Sequence, residues 1–316
     1  MMKTAFLFPG QGSQYVGMGL DLYQEFDFVK EIFDMAEETV KMNLKGLCFK
    51  GPMEDLTETV NLQPAVTVVN LICLAALERE GIQPDVAAGH SLGEYSALAA
   101  SGILSWPDTL RAVLKRGHLM HREARKHPGV MCAIVGLPID VVAKIVEKAK
   151  NDGVVSVANH NTATQIVISG SPAPVQHAAD AAGAQGARAI PLKVSGAWHS
   201  ALIRGAETEF ASFLQSLSFS APERPVIFNV TANFSSNPEE IRSVLARQLC
   251  SPVRWYDAMV RLIEEGVEAF VEVGPGKVLS GIQKKIVSKD HPAAVFNVYD
   301  LKSLEGFLAA AAKRIH

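Results

Sequence analysis

The sequence predicts an α/β protein whose core is a parallel sheet covered by helices on both faces, interrupted by a small unit of a different kind. Two observations predict the core. A strand at residues 3–8 is followed by amphipathic helical segments running through Val40 and again over 64–80, before a second strand enters Gly89-His90-Ser91-Leu92-Gly93. Strands separated by helices of that length need crossover connections, which make neighbouring strands parallel. A third observation predicts the interruption. Residues 129–194 read as strand (130–135), helix (139–149), strand (154–158), strand (165–169), helix (173–182) and strand (188–193), the βαββαβ order of the ferredoxin-like split unit.

The elements after this unit return to the first pattern. A helix at 201–217, a strand at 225–230, helices at 241–249 and 256–265, and a strand at 267–273 resume the core. A terminal helix at 303–315 carries Leu304, Phe307, Leu308 and Ala311 on one face, which predicts docking on the core. The expected division is a core of 1–127 and 197–316 with an insert of 128–196, bounded by His127-Pro128-Gly129 and Ser195-Gly196.

Composition narrows the function classes. The 316 residues are 48% hydrophobic and 20% charged, ordinary for a globular chain long enough to bury a large core. A net charge of −3 provides no electrostatic footprint for nucleic acid, and no apolar run is expected to approach the ~18 residues of a membrane span. Neither nucleic acid nor membrane is an expected partner. Cys48, Cys73, Cys132 and Cys250 are widely spaced, without the pairing that zinc sites use, and read as core thiols of a reducing compartment. The short apolar start, Thr4-Ala5-Phe6-Leu7-Phe8, is too brief for a signal-peptide core, so an unprocessed cytoplasmic protein is expected.

The chemistry centres on Ser91. A nucleophile on a sharp strand-to-helix turn needs small neighbours where the backbone crosses itself, and Gly89 and Gly93 provide them. Helix formers over 94–100, closed by Gly102, complete the context. The Leu92 amide, at the following helix N-terminus, would face an oxyanion formed at Ser91. A serine hydroxyl also needs a base. His90 is adjacent in sequence, but neighbouring side chains diverge on such a turn, which suits packing or hydrogen bonding; His118, His121 and His127 look solvated. His199 lies where the insert hands back to the core, a place where pockets form. No carboxylate is near it in sequence, so a distant Asp or a backbone carbonyl must orient it, unless it is simply a junction histidine satisfied by backbone.

Two further residues have open readings. Gln11 sits between Gly10 and Gly12, and its amide is a candidate second oxyanion donor; the rival phosphate-loop reading lacks the third glycine and any Gly-Lys-Ser/Thr, as does Gly274-Pro275-Gly276-Lys277-Val278. Arg116 borders the apolar stripe Leu110, Val113, Leu114 and Gly117 on a helix begun by Ser105-Trp106-Pro107-Asp108. It either clamps a buried carboxylate or snorkels over its own helix.

Taken together, Phe8-Pro9-Gly10-Gln11-Gly12-Ser13-Gln14, Gly89-His90-Ser91-Leu92-Gly93-Glu94-Tyr95-Ser96-Ala97-Leu98, Arg116-Gly117, the His199 segment, Gln248-Leu249 with Ser251-Pro252-Val253, and Glu272-Val273-Gly274-Pro275-Gly276-Lys277-Val278-Leu279 resemble the malonyl-CoA:acyl carrier protein transacylase family, in the family's order and over nearly the whole chain. The resemblance implies an α/β-hydrolase-like core with a ferredoxin-like insert. It also implies a ping-pong transfer in which Ser91 carries the malonyl group between CoA and the phosphopantetheine thiol of an acyl carrier protein, with no cofactor. In that scheme His199 is the base, held by the Gln248 carbonyl. The Gln11 and Leu92 amides form the oxyanion hole, Arg116 pairs with the malonyl carboxylate, and His90 and Trp198 border the substrate. A monomer supplying fatty acid synthesis is expected; polyketide synthase or malonate decarboxylase carriers are the alternative clients, and a serine hydrolase or a non-catalytic carrier-binding module are the competing classes.

The chain departs from the family at Ala197-Trp198, where Pro-Ser or Pro-Phe often precedes the histidine. An indole there should narrow the acyl pocket in favour of malonyl over methylmalonyl groups.

Overall fold

Apolar side chains on both sides of the first strand, β1 (Thr4–Phe8), set the architecture. Phe6 and Phe8 enter one apolar cluster, while Ala5 and Leu7 enter another with Trp255, Met259 and Leu262 on the opposite face. A strand buried on both faces requires cover on both, and the computed structural model, which describes residues 2–287 and 292–315, supplies it.

After β1 come α1 (Leu20–Glu25), α2 (Asp27–Val40), α3 (Leu44–Lys50), α4 (Met53–Thr57) and α5 (Thr59–Arg79), then β2 (Val86–Gly89), α6 (Gly93–Ala100) and α7 (Trp106–Lys126). The chain continues through β3 (Val130–Val135), α8 (Ile139–Ala149), β4 (Val155–Thr162), β5 (Gln165–Gly170), α9 (Pro172–Gly183) and β6 (Arg188–Pro191). It closes with α10 (Glu207–Gln215), β7 (Val226–Ile227), α11 (Pro238–Gln248), α12 (Trp255–Glu264), β8 (Ala269–Val273), α13 (Val278–Ile286), β9 (Ala294–Val298) and α14 (Leu301–Ile315).

The larger sheet has the order β7-β2-β1-β8-β9 with every pair parallel, as the long crossovers predict. The smaller sheet, β4-β5-β3-β6, is antiparallel throughout, the ferredoxin-like order. Cys132, Ile134, Ile166 and Ile168 bury one of its faces against α8 and α9. The end of β4 reaches the larger unit: Asn159 bridges Val253, and the His160 amide donates to the Val253 carbonyl at 2.9 Å. The terminal helix docks as its pattern predicts, with Leu304 and Phe307 buried.

Several expected elements differ in extent. The helix expected over 64–80 begins at Thr59, with Pro64 inside it. Packing compensates the lost hydrogen bond, because α7 approaches this turn so closely that a Cβ on Gly117 would lie 3.0 Å from the Thr59 carbonyl. This same helix corrects the expectation that nothing approaches a membrane span. It is long and apolar enough by length and composition, since uncharged Thr67 and Asn70 interrupt a run without making it polar, and it is almost wholly buried in the protein.

The helix expected over 201–217 is a 3₁₀ segment, Ala201–Ala206, followed by α10. Ile203 is non-helical there, and Gly205 packs so tightly on Glu123 of α7 that a Cβ would meet its carboxylate at 2.4 Å. The strand expected over 225–230 shrinks to Val226–Ile227 because the chain turns at once, with the Ala232 amide donating to the Phe228 carbonyl. Both α13 and β9 lie in sequence to which no element was assigned.

The helix bearing Arg116 is capped as expected: the Ser105 hydroxyl accepts from the Asp108 amide at 3.2 Å. Ser105→Ala should therefore cost about 1 kcal/mol, read as a lower urea midpoint, and an unchanged midpoint would show that the cap contributes nothing.

Candidate active site

The site forms at the C-terminal ends of β1 and β2. The chain leaves β2 at Gly89 and enters α6 at Gly93, and Ser91 between them has φ 52°, in the left-handed region. A Cβ on Gly89 would lie 2.0 Å from the Gly93 carbonyl carbon, and one on Gly93 would lie 1.9 Å from the Phe8 carbonyl oxygen. Glycine is required at both positions by this crossing. The strained serine is held from both sides: its amide donates to Asn229 Oδ1 at 2.7 Å, and its carbonyl accepts from Gln248 Nε2 at 2.9 Å.

His199 meets Ser91 from the other side of the cleft. Its Nε2 lies 2.8 Å from Ser91 Oγ, and its Nδ1 lies 2.9 Å from the Gln248 backbone carbonyl. A carbonyl only accepts, so the proton sits on Nδ1 and Nε2 is left to accept from the serine hydroxyl. Of the two orienting groups the sequence left open, the backbone carbonyl is the one present. Burial, then the Arg116 charge, push the His199 pKa down to about 3, against the hydrogen bond it donates to the Gln248 carbonyl, which raises it. The imidazole is therefore neutral at pH 7, the state a base needs.

Arg116 projects inward from the middle of α7 and is 1% exposed, so it does not snorkel. Its Nη2 donates to Ser91 Oγ at 3.1 Å and to Gln248 Oε1 at 3.1 Å, and its guanidinium carbon lies 5.6 Å from the Tyr95 ring centroid. Its Nε has no hydrogen-bond partner, and Arg116 forms no salt bridge among the described residues. A buried cation in this condition is costly, and an entering carboxylate removes the cost.

Of the remaining expected residues, Gln11 and Leu92 adjoin this centre, while the His90 and Trp198 side chains face other partners. The loop after β1 packs on the elbow, with the Gly10 Cβ position 2.6 Å from the His90 carbonyl and 3.4 Å from the Leu92 amide nitrogen. Gln11 follows at once, and neither its amide nor that of Leu92 donates a hydrogen bond to any described residue outside regular secondary structure. Asn70 Nδ2 steadies the loop by donating to the Pro9 carbonyl at 3.1 Å. His90 turns away from Ser91, its Nε2 2.9 Å from Asn161 Oδ1 and its ring 5.3 Å from that of Trp255. Burial holds its pKa below the usual histidine value. Trp198 is buried, and its six-membered ring lies over Gly196.

Three contributors had no assigned role in the sequence reading: Asn229, the Gln248 side chain and Glu94. Glu94 had a signal, as an acid within the apolar helix Glu94-Tyr95-Ser96-Ala97-Leu98-Ala99-Ala100. Asn229 had none, because its role arises only when the loop after β7 folds over the elbow.

Comparison with known proteins assigns the class and then the family. The model of the acyl transferase domain matches residues 5–304, so the protein is an acyltransferase. The malonyl CoA-acyl carrier protein transacylase of Bacillus subtilis (strain 168) is 44% identical over 288 residues, covering 90% of this chain and 91% of the relative. An acyl carrier protein S-malonyltransferase from Vibrio cholerae superposes with a TM-score of 0.92 at 40% identity, covering 96% of this chain and 99% of that one. A malonyl-transacylase solved in complex with a type II polyketide synthase acyl carrier protein superposes with a TM-score of 0.93 at 36% identity, covering 98% and 99%. The chain belongs to the malonyl-CoA:acyl carrier protein transacylase family.

The electrostatic pairing is open to direct test. A cation beside an imidazole disfavours its protonated form, so Arg116→Met should raise the His199 pKa from about 3, while burial keeps it below 6.5. Histidine ¹⁵N NMR titration reads the shift, and an unmoved pKa would show that burial acts alone.

Proposed function

We propose that the protein moves malonyl groups from malonyl-CoA to the phosphopantetheine thiol of an acyl carrier protein through an ester on Ser91. The observation that carries this reading is the buried guanidinium of Arg116, which has no direct salt bridge among the described residues and lies within hydrogen-bond distance of Ser91 Oγ. A group that bears both a thioester and a free carboxylate satisfies both ends of that arrangement.

In the first half-reaction Ser91 Oγ attacks the thioester carbon while His199 Nε2 takes the hydroxyl proton. The oxyanion is stabilised by the Gln11 and Leu92 amides, which donate to no described residue outside regular secondary structure and lie where the β1 loop meets the elbow. The imidazolium is stabilised through Nδ1 by the Gln248 carbonyl. Collapse breaks the carbon–sulfur bond, and CoA leaves as the thiol with the proton held by His199. In the second half-reaction His199 accepts the pantetheine thiol proton, the sulfur attacks the malonyl ester, and the proton returns to Ser91 Oγ.

The chemistry requires no cofactor in this reading. All its groups come from one chain, which supports action as a monomer, and the four unpaired cysteines suit the cytoplasm. Fatty acid synthesis is the proposed client, with a polyketide carrier as the alternative. A hydrolase would have no use for a carboxylate clamp, and a non-catalytic carrier-binding module would have no use for the Ser91–His199 pair. Trp198, next to the base in sequence, is proposed to disfavour the branched methylmalonyl group.

Steady-state transfer from malonyl-, methylmalonyl- and acetyl-CoA to a carrier protein tests the reading. Arg116→Ala should lower kcat/KM for malonyl-CoA by about 100-fold or more, from loss of a charge-assisted pair, a far larger loss than for acetyl-CoA. The unaltered protein should prefer malonyl to methylmalonyl. Equal losses for malonyl and acetyl would refute the clamp, and equal kcat/KM for malonyl and methylmalonyl would refute the role of Trp198.

A further inference from the structure

Glu94 is a fully buried carboxylate in the second position of α6, a helix whose every residue is buried. It forms no salt bridge among the described residues, so its charge depends on hydrogen bonds. Both oxygens are engaged, by different parts of the chain. Oε1 accepts from the Asn229 backbone amide at 2.6 Å, and Oε2 accepts from Gln248 Nε2 at 2.5 Å. Burial still pushes its pKa up to about 7, opposed by the Asn229 and Gln248 hydrogen bonds and by the Arg116 charge.

Those two partners are the residues that hold the nucleophile. Asn229 takes the Ser91 amide through Oδ1 and donates from Nδ2 to the Gly89 carbonyl at 2.7 Å. Gln248 donates to the Ser91 carbonyl, accepts from Arg116 through Oε1, and accepts from His199 through its backbone oxygen. The strained serine backbone, the base and the guanidinium therefore share one point of attachment.

We infer that Glu94 is a positioning residue, whose two carboxylate oxygens lock Asn229 and Gln248 so that Ser91 Oγ, His199 and Arg116 stay in register. The inference rests on the reading of Ser91 as the acyl-carrying nucleophile. A carboxylate is needed because both oxygens face N–H donors; a glutamine would turn its own NH₂ against one of them. The donors would then separate and the elbow would shift, and a misplacement of about 1 Å costs about 100-fold in rate.

The test compares Glu94→Gln with the unaltered full chain in three measurements: kcat and KM for malonyl transfer, the melting temperature, and the rate at which a fluorophosphonate labels Ser91. The reagent needs neither a carboxylate nor a carrier, so it reports the nucleophile even if malonyl transfer is not the activity. The expected result is a fall of about 100-fold in both kcat and labelling, with KM for malonyl-CoA within about twofold because Arg116 remains. Unchanged labelling would overturn the inference, whether kcat is kept, KM rises, or KM falls because Glu94 only balances the Arg116 charge. If Glu94→Gln does not fold, Glu94→Asp, which keeps the charge but withdraws it by one methylene, should show the same loss of labelling, and a normal rate would overturn the proposal. Failure of the unaltered chain to transfer malonyl while Ser91 still labels would remove the functional reading and leave the positioning role standing.

Discussion

The left-handed backbone at Ser91 is the constraint around which the site is arranged. Holding a non-glycine residue there costs about 1–3 kcal/mol, and the strand-to-helix crossing enforces it, because Gly89, Gly93 and Phe8 leave no room for another path. The parallel sheet supplies the geometry: β1 and β2 end side by side, so the loop carrying Gln11 and the turn carrying Ser91 meet at one edge. Asn229 and Gln248 arrive from later in the chain and hold the Ser91 amide and carbonyl. The strain is thus offset by contacts distant in sequence, and in return the hydroxyl stands clear of the fold, facing His199.

Electrostatics complete what the backbone begins. Arg116 and His199 share a buried environment, and each makes a charge on the other less favourable. Around the hydroxyl the free site therefore holds the Arg116 cation and a neutral His199, with Glu94 on the far side of Gln248. In the proposed reaction a substrate carboxylate at Arg116 would compensate the cation and weaken its opposition to an imidazolium, helping His199 take the serine proton. A substrate without that carboxylate brings no such relief. On that proposal, selection for malonyl would act on both binding and proton transfer.

Much of this was legible in the sequence, for identifiable reasons. Ser91 shows because a sharp turn needs glycine on both sides, and glycines are visible one by one. That the larger sheet is parallel follows from helices too long for hairpins, and the βαββαβ order of the smaller sheet survives in its alternating strands. His199 shows through its place at a junction, and Arg116 through its position beside an apolar stripe, although only the structure shows that it is buried and does not snorkel. What was hidden depends on tertiary contact. Asn229 lies in a loop with no local signature, Glu94 passes for an ordinary helix former, and α5 begins before Pro64 because α7 packs against its first turn. The 3₁₀ segment at Ala201–Ala206 likewise answers to the approach of Glu123, which no periodicity reveals.

The central claim is that Ser91 carries the malonyl group between two thiols. Intact-protein mass spectrometry after brief mixing with malonyl-CoA, with Ser91→Ala alongside, addresses it most directly. The account predicts a single malonyl adduct that is absent from Ser91→Ala and disappears when a carrier protein bearing phosphopantetheine is added. An adduct that persists in Ser91→Ala, or no adduct and no release of CoA from the unaltered chain, would contradict it.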